Sequence, residues 1–214
     1  MLTINFNLPE KPKILCLGAH PDDIEIGCGG TLLRLIEEIP DSDFYWVVFS
    51  GNKQRQKEAN ASAECLLKGL SKRIIIGNFR ESYFPYIGAS IKDDFELLKK
   101  ELSPDLIFTH YQKDAHQDHR LISELTWNTF RNHLILEYEV PKYEGDLRTP
   151  NLYVHLNESQ ASLKINHILQ FFKSQTEKNW FTADSFKALL RVRGIECNSR
   201  GQYAEGFHCH KLVF

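Results

Sequence analysis

The stretch ILCLGAHPDD, residues 14–23, joins an apolar run to a cluster of polar side chains. The run Ile14–Leu17 is typical of a buried strand in a parallel sheet, because such strands are covered on both faces. Directly after it come an imidazole and two carboxylates, at His20, Asp22 and Asp23. One carboxylate can bind a divalent metal together with His20 while the other moves protons. The stretch therefore predicts catalytic groups at the end of a parallel strand.

A second polar cluster, HYQKDAHQDH at residues 110–119, follows the apolar run Leu106–Thr109. Ligands of open parallel sheets bind outside the carboxyl ends of the strands, so we expect both clusters at one edge of the sheet. An imidazole and a carboxylate from the first cluster and an imidazole from the second would form a His₂Asp set. Three protein ligands with one open position are typical of catalytic zinc. The remaining carboxylate and imidazole could act as general base and stabilise a developing oxyanion.

Apolar runs alternate with helical periodicity, which predicts an α/β fold with a mostly parallel sheet. The predicted strands are Ile14–Leu17, Phe44–Ser50, Arg73–Ile76, Leu106–Thr109, Leu134–Val140, Leu152–Leu156 and Phe207–Phe214. The predicted helices are Thr31–Ile39, Gln54–Leu70, Ile91–Leu102, His119–Asn132, Gln160–Phe172 and Asp184–Arg193. A flexible turn is expected at Gly27–Gly30. With no linker or repeat, residues 1–214 are interpreted as one domain.

The overall composition is that of an ordinary globular protein. The net charge of −2 gives no electrostatic reason to expect binding to nucleic acid or an anionic membrane. The five cysteines are scattered and odd in number, which favours free thiols in a reducing compartment. No apolar run reaches the roughly 20 residues that span a bilayer. We therefore expect a soluble cytoplasmic protein, whose irregular C-terminal third could supply a homo-oligomer interface.

Four stretches resemble the motifs of the PIG-L/LmbE-like zinc de-N-acetylases. They are AHPDDIEIGCGGTL at residues 19–32, RQKEANASAECLLKG at 55–69, HYQKDAHQDHR at 110–120 and QYAEGFHCHKLVF at 202–214. The chain departs from the family pattern at Ile24, where Glu is common, and at Gln117, where Pro is usual. The resemblance implies a Rossmann-like three-layer sandwich with the active site at the C-terminal ends of its strands. It also implies hydrolysis of an N-acyl group, commonly the acetyl group of an amino sugar.

The resemblance assigns roles to individual residues. It implies one zinc ion per chain, with His20, Asp23 and His119 as ligands, although such a set also accepts other divalent metals. It implies that Asp22 is the general base, that His116 stabilises the tetrahedral intermediate and that Asp118 tunes His116. Arg55 and Glu58 match a pair near the substrate.

Several other residues near the clusters have more than one possible role. Asp114 is predicted to bind substrate, or else it only begins the turn. His110, at a strand end, is expected to be a satisfied residue at the edge of the core. The aromatic loop Tyr83–Tyr86 could stack on a sugar or pack internally, and His208 and His210 could line the pocket or an interface. Residues 78–90 and 141–150 are expected to form the specificity loops.

Two other functions are compatible with the clusters. A metal-dependent phosphoesterase would require ligands for a second metal about 3.5–4 Å from the first. A non-catalytic sugar-binding protein could share the fold, because a fold does not determine function. The small-molecule substrate, expected to be an N-acetylated sugar, is not identified by the sequence.

Overall fold

The computed structural model describes residue 3 and residues 6–213, and its strands form one seven-stranded sheet. The strands are β1 Lys13–Gly18, β2 Asp43–Ser50, β3 Ser71–Phe79, β4 Leu106–His110, β5 Leu134–Tyr138, β6 Leu152–Leu156 and β7 Tyr203–His208. The helices are α1 Asp23–Glu38, α2 Lys53–Leu66, α3 Gly88–Glu101, α4 Gln117–Thr129, α5 Glu158–Phe171 and α6 Ala183–Glu196, with 3₁₀ turns at Phe84–Tyr86 and Lys173–Gln175. In the described part of the chain, none of these helices is long and apolar enough to cross a membrane.

The strand order is β3-β2-β1-β4-β5-β7-β6. Strand β1 lies between β2 and β4 and runs parallel to both. The pairs β2–β3 and β4–β5 are also parallel, whereas β7 is antiparallel to β5 and β6. The chain builds outward from β1 through β2 and β3, then crosses to β4 on the other side. This reversal of direction opens a crevice at the carboxyl ends of β1 and β4, the usual ligand site of such sheets.

Helices cover both faces of the sheet. Ile14 and Cys16 of β1 belong to a core formed with α1, α2, α5 and α6, and the alternate residues Leu15 and Leu17 belong to a second core with α3 and α4. All four side chains are completely buried. Since successive side chains of a strand point to opposite faces, this alternation defines three layers. The predicted α/β sandwich with a mostly parallel sheet is confirmed.

The turn predicted at Gly27–Gly30 is wrong. Helix α1 begins at Asp23 and contains all four residues. Close packing explains the glycines, because a Cβ atom on Gly27 would lie 2.1 Å from the Tyr138 ring and one on Gly30 would lie 2.4 Å from Leu156. The glycine run therefore brings α1 close to its neighbours.

The last predicted strand, Phe207–Phe214, has the wrong extent. Strand β7 ends at His208, and Phe214 lies outside the described residues. Strand β6 pairs with Tyr203–Phe207, and β5 pairs only with Phe207 and His208. Residues 209–213 therefore lie past the last ladder position and continue in irregular structure. Helix α1 also begins well before the predicted start at Thr31, whereas the other predicted elements differ from the observed ones by a few residues at their ends.

Candidate metal centre and active site

The two polar clusters meet in the crevice at the carboxyl ends of β1 and β4. His20, Asp22 and Asp23 lie between β1 and the start of α1, while His116 and His119 lie at the start of α4. His20 and His119 are 99 residues apart in the chain, yet their ring nitrogens are neighbours. Asp22 has a left-handed φ of 94°, which is uncommon for a residue other than glycine. That conformation sets the direction in which the two adjacent carboxylates leave the turn.

Each of the two predicted histidine ligands is held by a carboxylate. His20 Nε2 lies 3.0 Å from Asp118 Oδ2, and His119 Nδ1 lies 3.0 Å from Asp114 Oδ2. Metal-binding histidines commonly donate their second ring N–H to such a carboxylate. When both rings are neutral, these two contacts leave the lone pairs of His20 Nδ1 and His119 Nε2 free.

The free donor atoms converge. His20 Nδ1 and His119 Nε2 are 3.2 Å apart, and each lies 3.5 Å from an oxygen of Asp23. Two nitrogen lone pairs and a carboxylate at these distances repel one another unless a positive charge lies among them. Zinc with tetrahedral ligands at about 2.0–2.1 Å spaces its ligand atoms about 3.3 Å apart. The predicted set therefore fits a zinc ion by donor type and by spacing.

The titration of the two imidazoles agrees with a cation site. Burial acts to lower the pKa of His20, but its contacts with Asp118 and Asp23 raise that pKa to about 10. Burial and the neighbouring His110 lower the pKa of His119 to about 3. At neutral pH the facing nitrogens thus share one positive charge, a proton on His20, which a metal ion would displace.

His110 is part of this centre, although sequence reasoning placed it at the edge of the core. Two overlapping groups of possible ligands share His119: His20 and His116 complete one, and Asp23 and His110 complete the other. The Ala19 N–H donates to His110 Nε2 at 2.9 Å, which occupies that lone pair. The His110 ring stacks on His119 with centroids 3.9 Å apart. His110 therefore packs against the predicted ligands, with its Nε2 occupied and its buried Nδ1 without a partner among the described residues.

Asp22 is paired with a guanidinium and not with an imidazole. Arg55 Nη2 donates to Asp22 Oδ1 at 3.1 Å and to the Pro21 carbonyl at 2.5 Å, and its Nη1 lies 3.1 Å from Glu81 Oε1. Burial raises the pKa of Asp22, Arg55 lowers it and Asp23 raises it, with a resulting pKa of about 7. A carboxyl group with a pKa near neutrality can both take up and return a proton.

Asp118 does not contact His116 through its carboxylate, although the resemblance implied that it tunes this imidazole. Its carboxylate accepts from His20 and from the N–H of Ser82 at 2.6 Å. Only the backbone N–H of Asp118 reaches His116, donating to Nδ1 at 3.2 Å. The proton of the neutral ring therefore lies on Nε2. Burial and then His20 lower the pKa of His116, which keeps the ring neutral.

Of the three residues predicted to bind substrate, only Arg55 lines the cavity beside the metal centre. Asp114 binds His119 and Lys142, which makes it a support for the predicted metal ligand. Glu58 accepts a hydrogen bond from the Ser174 N–H at 3.0 Å and does not line the cavity.

The aromatic loop and the C-terminal histidines also lie outside the cavity lining. Phe84 is completely buried, and its ring lies 5.9 Å from that of His20. Its N–H donates to Asp118 at 3.1 Å, so the loop helps to fix the Asp118–His20 contact. His208 stacks on Tyr111.

The cavity has a volume of about 260 Å³. Besides the residues that the sequence singles out individually, it is lined by Lys142, Tyr143, Lys178 and Trp180, and also by Ile26, Glu81, Ser82, Val140 and Glu144. The first two belong to the predicted specificity loop 141–150, which connects β5 to β6. Sequence reasoning missed Lys178 and Trp180, which precede α6, because no motif or periodicity distinguishes them.

Comparison with known proteins identifies relatives of this chain. The family model of the GlcNAc-PI de-N-acetylases, PIG-L, matches residues 15–130. The uncharacterized deacetylase YaiS of Escherichia coli K12 is 28% identical over 146 residues, which cover 62% of this chain and 76% of YaiS. The diacetylchitobiose deacetylase of Thermococcus kodakarensis is 30% identical over 135 residues, covering 55% of this chain. The match spans only 48% of that relative's length.

Solved structures with this fold have different activities. The N,N'-diacetylchitobiose deacetylase of Pyrococcus horikoshii superposes with a TM-score of 0.68 at 24% identity, covering 93% of this chain and 84% of that one. GalB, a 4-carboxy-2-hydroxymuconate hydratase of Pseudomonas putida KT2440, superposes with a TM-score of 0.75 at 16% identity, covering 95% and 98%. At these identities the likeness shows the fold alone, so the function has to be argued from the site.

Proposed function

Because the chain belongs to the PIG-L family of GlcNAc-PI de-N-acetylases, we propose that it is a zinc-dependent hydrolase that removes the N-acetyl group from an amino sugar or sugar conjugate. The observation that carries this proposal is the division of labour between two adjacent carboxylates. Asp23 lies 3.5 Å from both free imidazole nitrogens, whereas Asp22 is turned to Arg55 and has a pKa of about 7. Asp23 is thus available to bind the metal ion, and Asp22 is available to accept a proton.

In the proposed mechanism, His20, Asp23 and His119 hold the metal ion. When bound, a zinc ion supplies Lewis acidity, which polarises the amide carbonyl and makes water more acidic. Asp22 takes the proton from the attacking water and later returns it to the departing amine nitrogen. Arg55 holds Asp22 in place for both transfers. His116 donates from Nε2 to the oxygen that gains negative charge, which is the role of an oxyanion donor.

An acetate-release assay with Asp22→Asn tests this proposal. Asparagine tolerates the left-handed backbone of residue 22 and cannot accept the proton. With N-acetylglucosamine conjugates as substrates, we expect turnover to fall about 10²–10⁴-fold while the zinc content stays at one per chain. The exposed Asp41→Asn is the matched control and should keep full activity. Full activity of Asp22→Asn would refute the assignment of the base.

Metal content, phosphate release and sugar binding separate the competing functions. The two groups of possible ligands share His119, which favours one metal ion over the pair that a phosphoesterase would use. Two equivalents of metal together with phosphate release would support a phosphoesterase. Binding of sugars by the zinc-loaded protein without acetate release would support a non-catalytic role.

A further inference from the structure

One wall of the cavity lies outside the segment that the family model matches. Lys142 and Tyr143 come from the β5–β6 connection, and Lys178 and Trp180 from the segment between α5 and α6. The metal ligands and Asp22 all lie within residues 15–130. This wall of the cavity and the predicted metal ligands therefore come from different parts of the chain.

Three lysine or arginine side chains line the cavity, and neighbouring carboxylates neutralise two of them. Arg55 is paired with Asp22 and Glu81. Lys142 Nζ lies 2.9 Å from Asp114 and 2.8 Å from Asp146. These two charges are committed to holding the site together.

The third cation, Lys178, forms no ion pair with the residues that the structure describes. It is half-buried, and its Nζ lies 5.5 Å from the centre of the Trp180 ring. Lys178 lines the same cavity as Asp22 and His119. Glu144 lines the same cavity but is exposed, so water screens its charge more than that of a half-buried ammonium.

Two aromatic rings accompany this ammonium. The rings of Trp180 and Tyr143 meet edge to face with centroids 6.5 Å apart. Tyr143 is 69% exposed although it lines the cavity, so its apolar face has little protein to cover it. A cavity near the lower end of the usual size range, about 300 Å³, suits a small ligand that such rings can contact.

We infer that Lys178 binds a negatively charged substituent, a carboxylate or phosphate, on the N-acetylated sugar, while Trp180 and Tyr143 pack against the sugar ring. This inference rests on the proposed function and narrows its substrate class to acidic amino-sugar derivatives. The Lys178 ammonium is already half-desolvated and forms no ion pair with a described residue. Binding of an anion therefore does not require an existing ion pair to break.

Competition between charged and uncharged substrates tests the inference. The values of kcat/KM would be measured with N-acetylglucosamine, its 1-phosphate and 6-phosphate, and N-acetylmuramic acid. We expect an acidic compound to have a higher kcat/KM than N-acetylglucosamine. Comparison of the two phosphates with the carboxylate then identifies which anion fits. Lys178→Met should reduce the ratio of charged to uncharged kcat/KM about fivefold, and Lys178→Arg should retain most of it. The preference should also weaken as salt is raised from about 0.02 to 0.5 M, because salt screens the ion pair.

Controls separate this inference from the proposed function. Lys173→Met alters a nearby exposed lysine and should leave the ratio as in the wild type. Binding of glucosamine 6-phosphate and glucosamine, measured by calorimetry, tests Lys178 without turnover. If acetate is released with equal kcat/KM from charged and uncharged substrates, and Lys178→Met does not change that ratio, the inference is overturned while the proposed function stands. Absence of acetate release from every substrate would overturn the proposed function, and equal affinity for the two amines would then overturn the role of Lys178 as well.

Discussion

Lys142 reaches the metal centre through a single carboxylate. Its Nζ lies 2.9 Å from Asp114 Oδ2, the same oxygen that lies 3.0 Å from His119 Nδ1. It also lies 2.8 Å from both carboxylate oxygens of Asp146, which fixes the ammonium in turn. Burial raises the pKa of Asp114, but His119 and Lys142 lower it well below its usual value. Lys142 thereby keeps Asp114 ionised and oriented toward His119, the predicted metal ligand.

Replacing Lys142 by Met should therefore weaken zinc binding. Loss of partners behind a metal ligand typically costs 10–100-fold in affinity, and we expect about tenfold here because Lys142 acts through Asp114. Competition with a chelator of known affinity measures the change. Lys113→Met, an exposed lysine beside Asp114 in the chain, is the matched control. Zinc affinity equal to the wild type in Lys142→Met would contradict this role.

The convergence of the two polar clusters was predictable from sequence, whereas the pairing of their side chains was not. The position of each cluster after an apolar run placed His20 and His119 at one sheet edge. Nothing in the spacing indicates that Asp118 supports His20, or that Asp114 supports His119, because these pairings depend on the angle at which two loops meet. The same applies to His110, which becomes part of the centre only when β4 lies beside β1.

At the level of elements, α1 shows why a glycine run need not be a turn. Three glycines within four residues weaken a helix by about 1 kcal/mol each relative to alanine, which is why the sequence favours a turn. Packing reverses this preference. The Tyr138 ring occupies the space that a Gly27 side chain would need, and its hydroxyl donates to the Leu17 carbonyl at 2.6 Å.

A matched pair of substitutions in α1 tests this explanation. Gly27→Ala should destabilise the protein by about 1–3 kcal/mol, because the new methyl group overlaps the Tyr138 ring. Gly29→Ala places its Cβ 3.6 Å from Lys164, an ordinary contact, and should be neutral or stabilising by up to about 1 kcal/mol. Urea unfolding of both variants measures the difference. Equal stability of the two would show that the approach of α1 to Tyr138 does not require Gly27.

At the scale of the whole molecule, the sequence predicts the parallel part of the sheet better than its antiparallel edge. Strands β1 to β4 alternate with helices, and right-handed crossovers then leave few possible orders. The order β5-β7-β6 depends instead on pairing between residues far apart in the chain, such as Leu152 with Phe207. Turn signals around residues 141–150 do not indicate which strand lies beside β5.

The packing of α2 against α5 predicts how global stability changes in acid. Ser62 Oγ lies 2.8 Å from His167 Nε2 between these helices. Burial lowers the pKa of His167 to about 4, below the value of 6.5 for an unperturbed histidine. Between these values the unfolded chain binds more protons than the folded one. The contribution of a neutral His167 is therefore complete above pH 6.5 and is lost as the pH falls toward 4.

Replacing His167 by Gln, which can still bond to Ser62, should reduce this acid sensitivity. From pH 7 to pH 5 the wild type should lose about 1–2 kcal/mol more unfolding free energy than His167→Gln, because only the wild type gains a proton at this position on unfolding. Urea unfolding at both pH values, with a chelator present so that metal release does not contribute, measures the two losses. Equal losses would mean that His167 is protonated in the folded state at pH 5, and that the contact between α2 and α5 accommodates its charge.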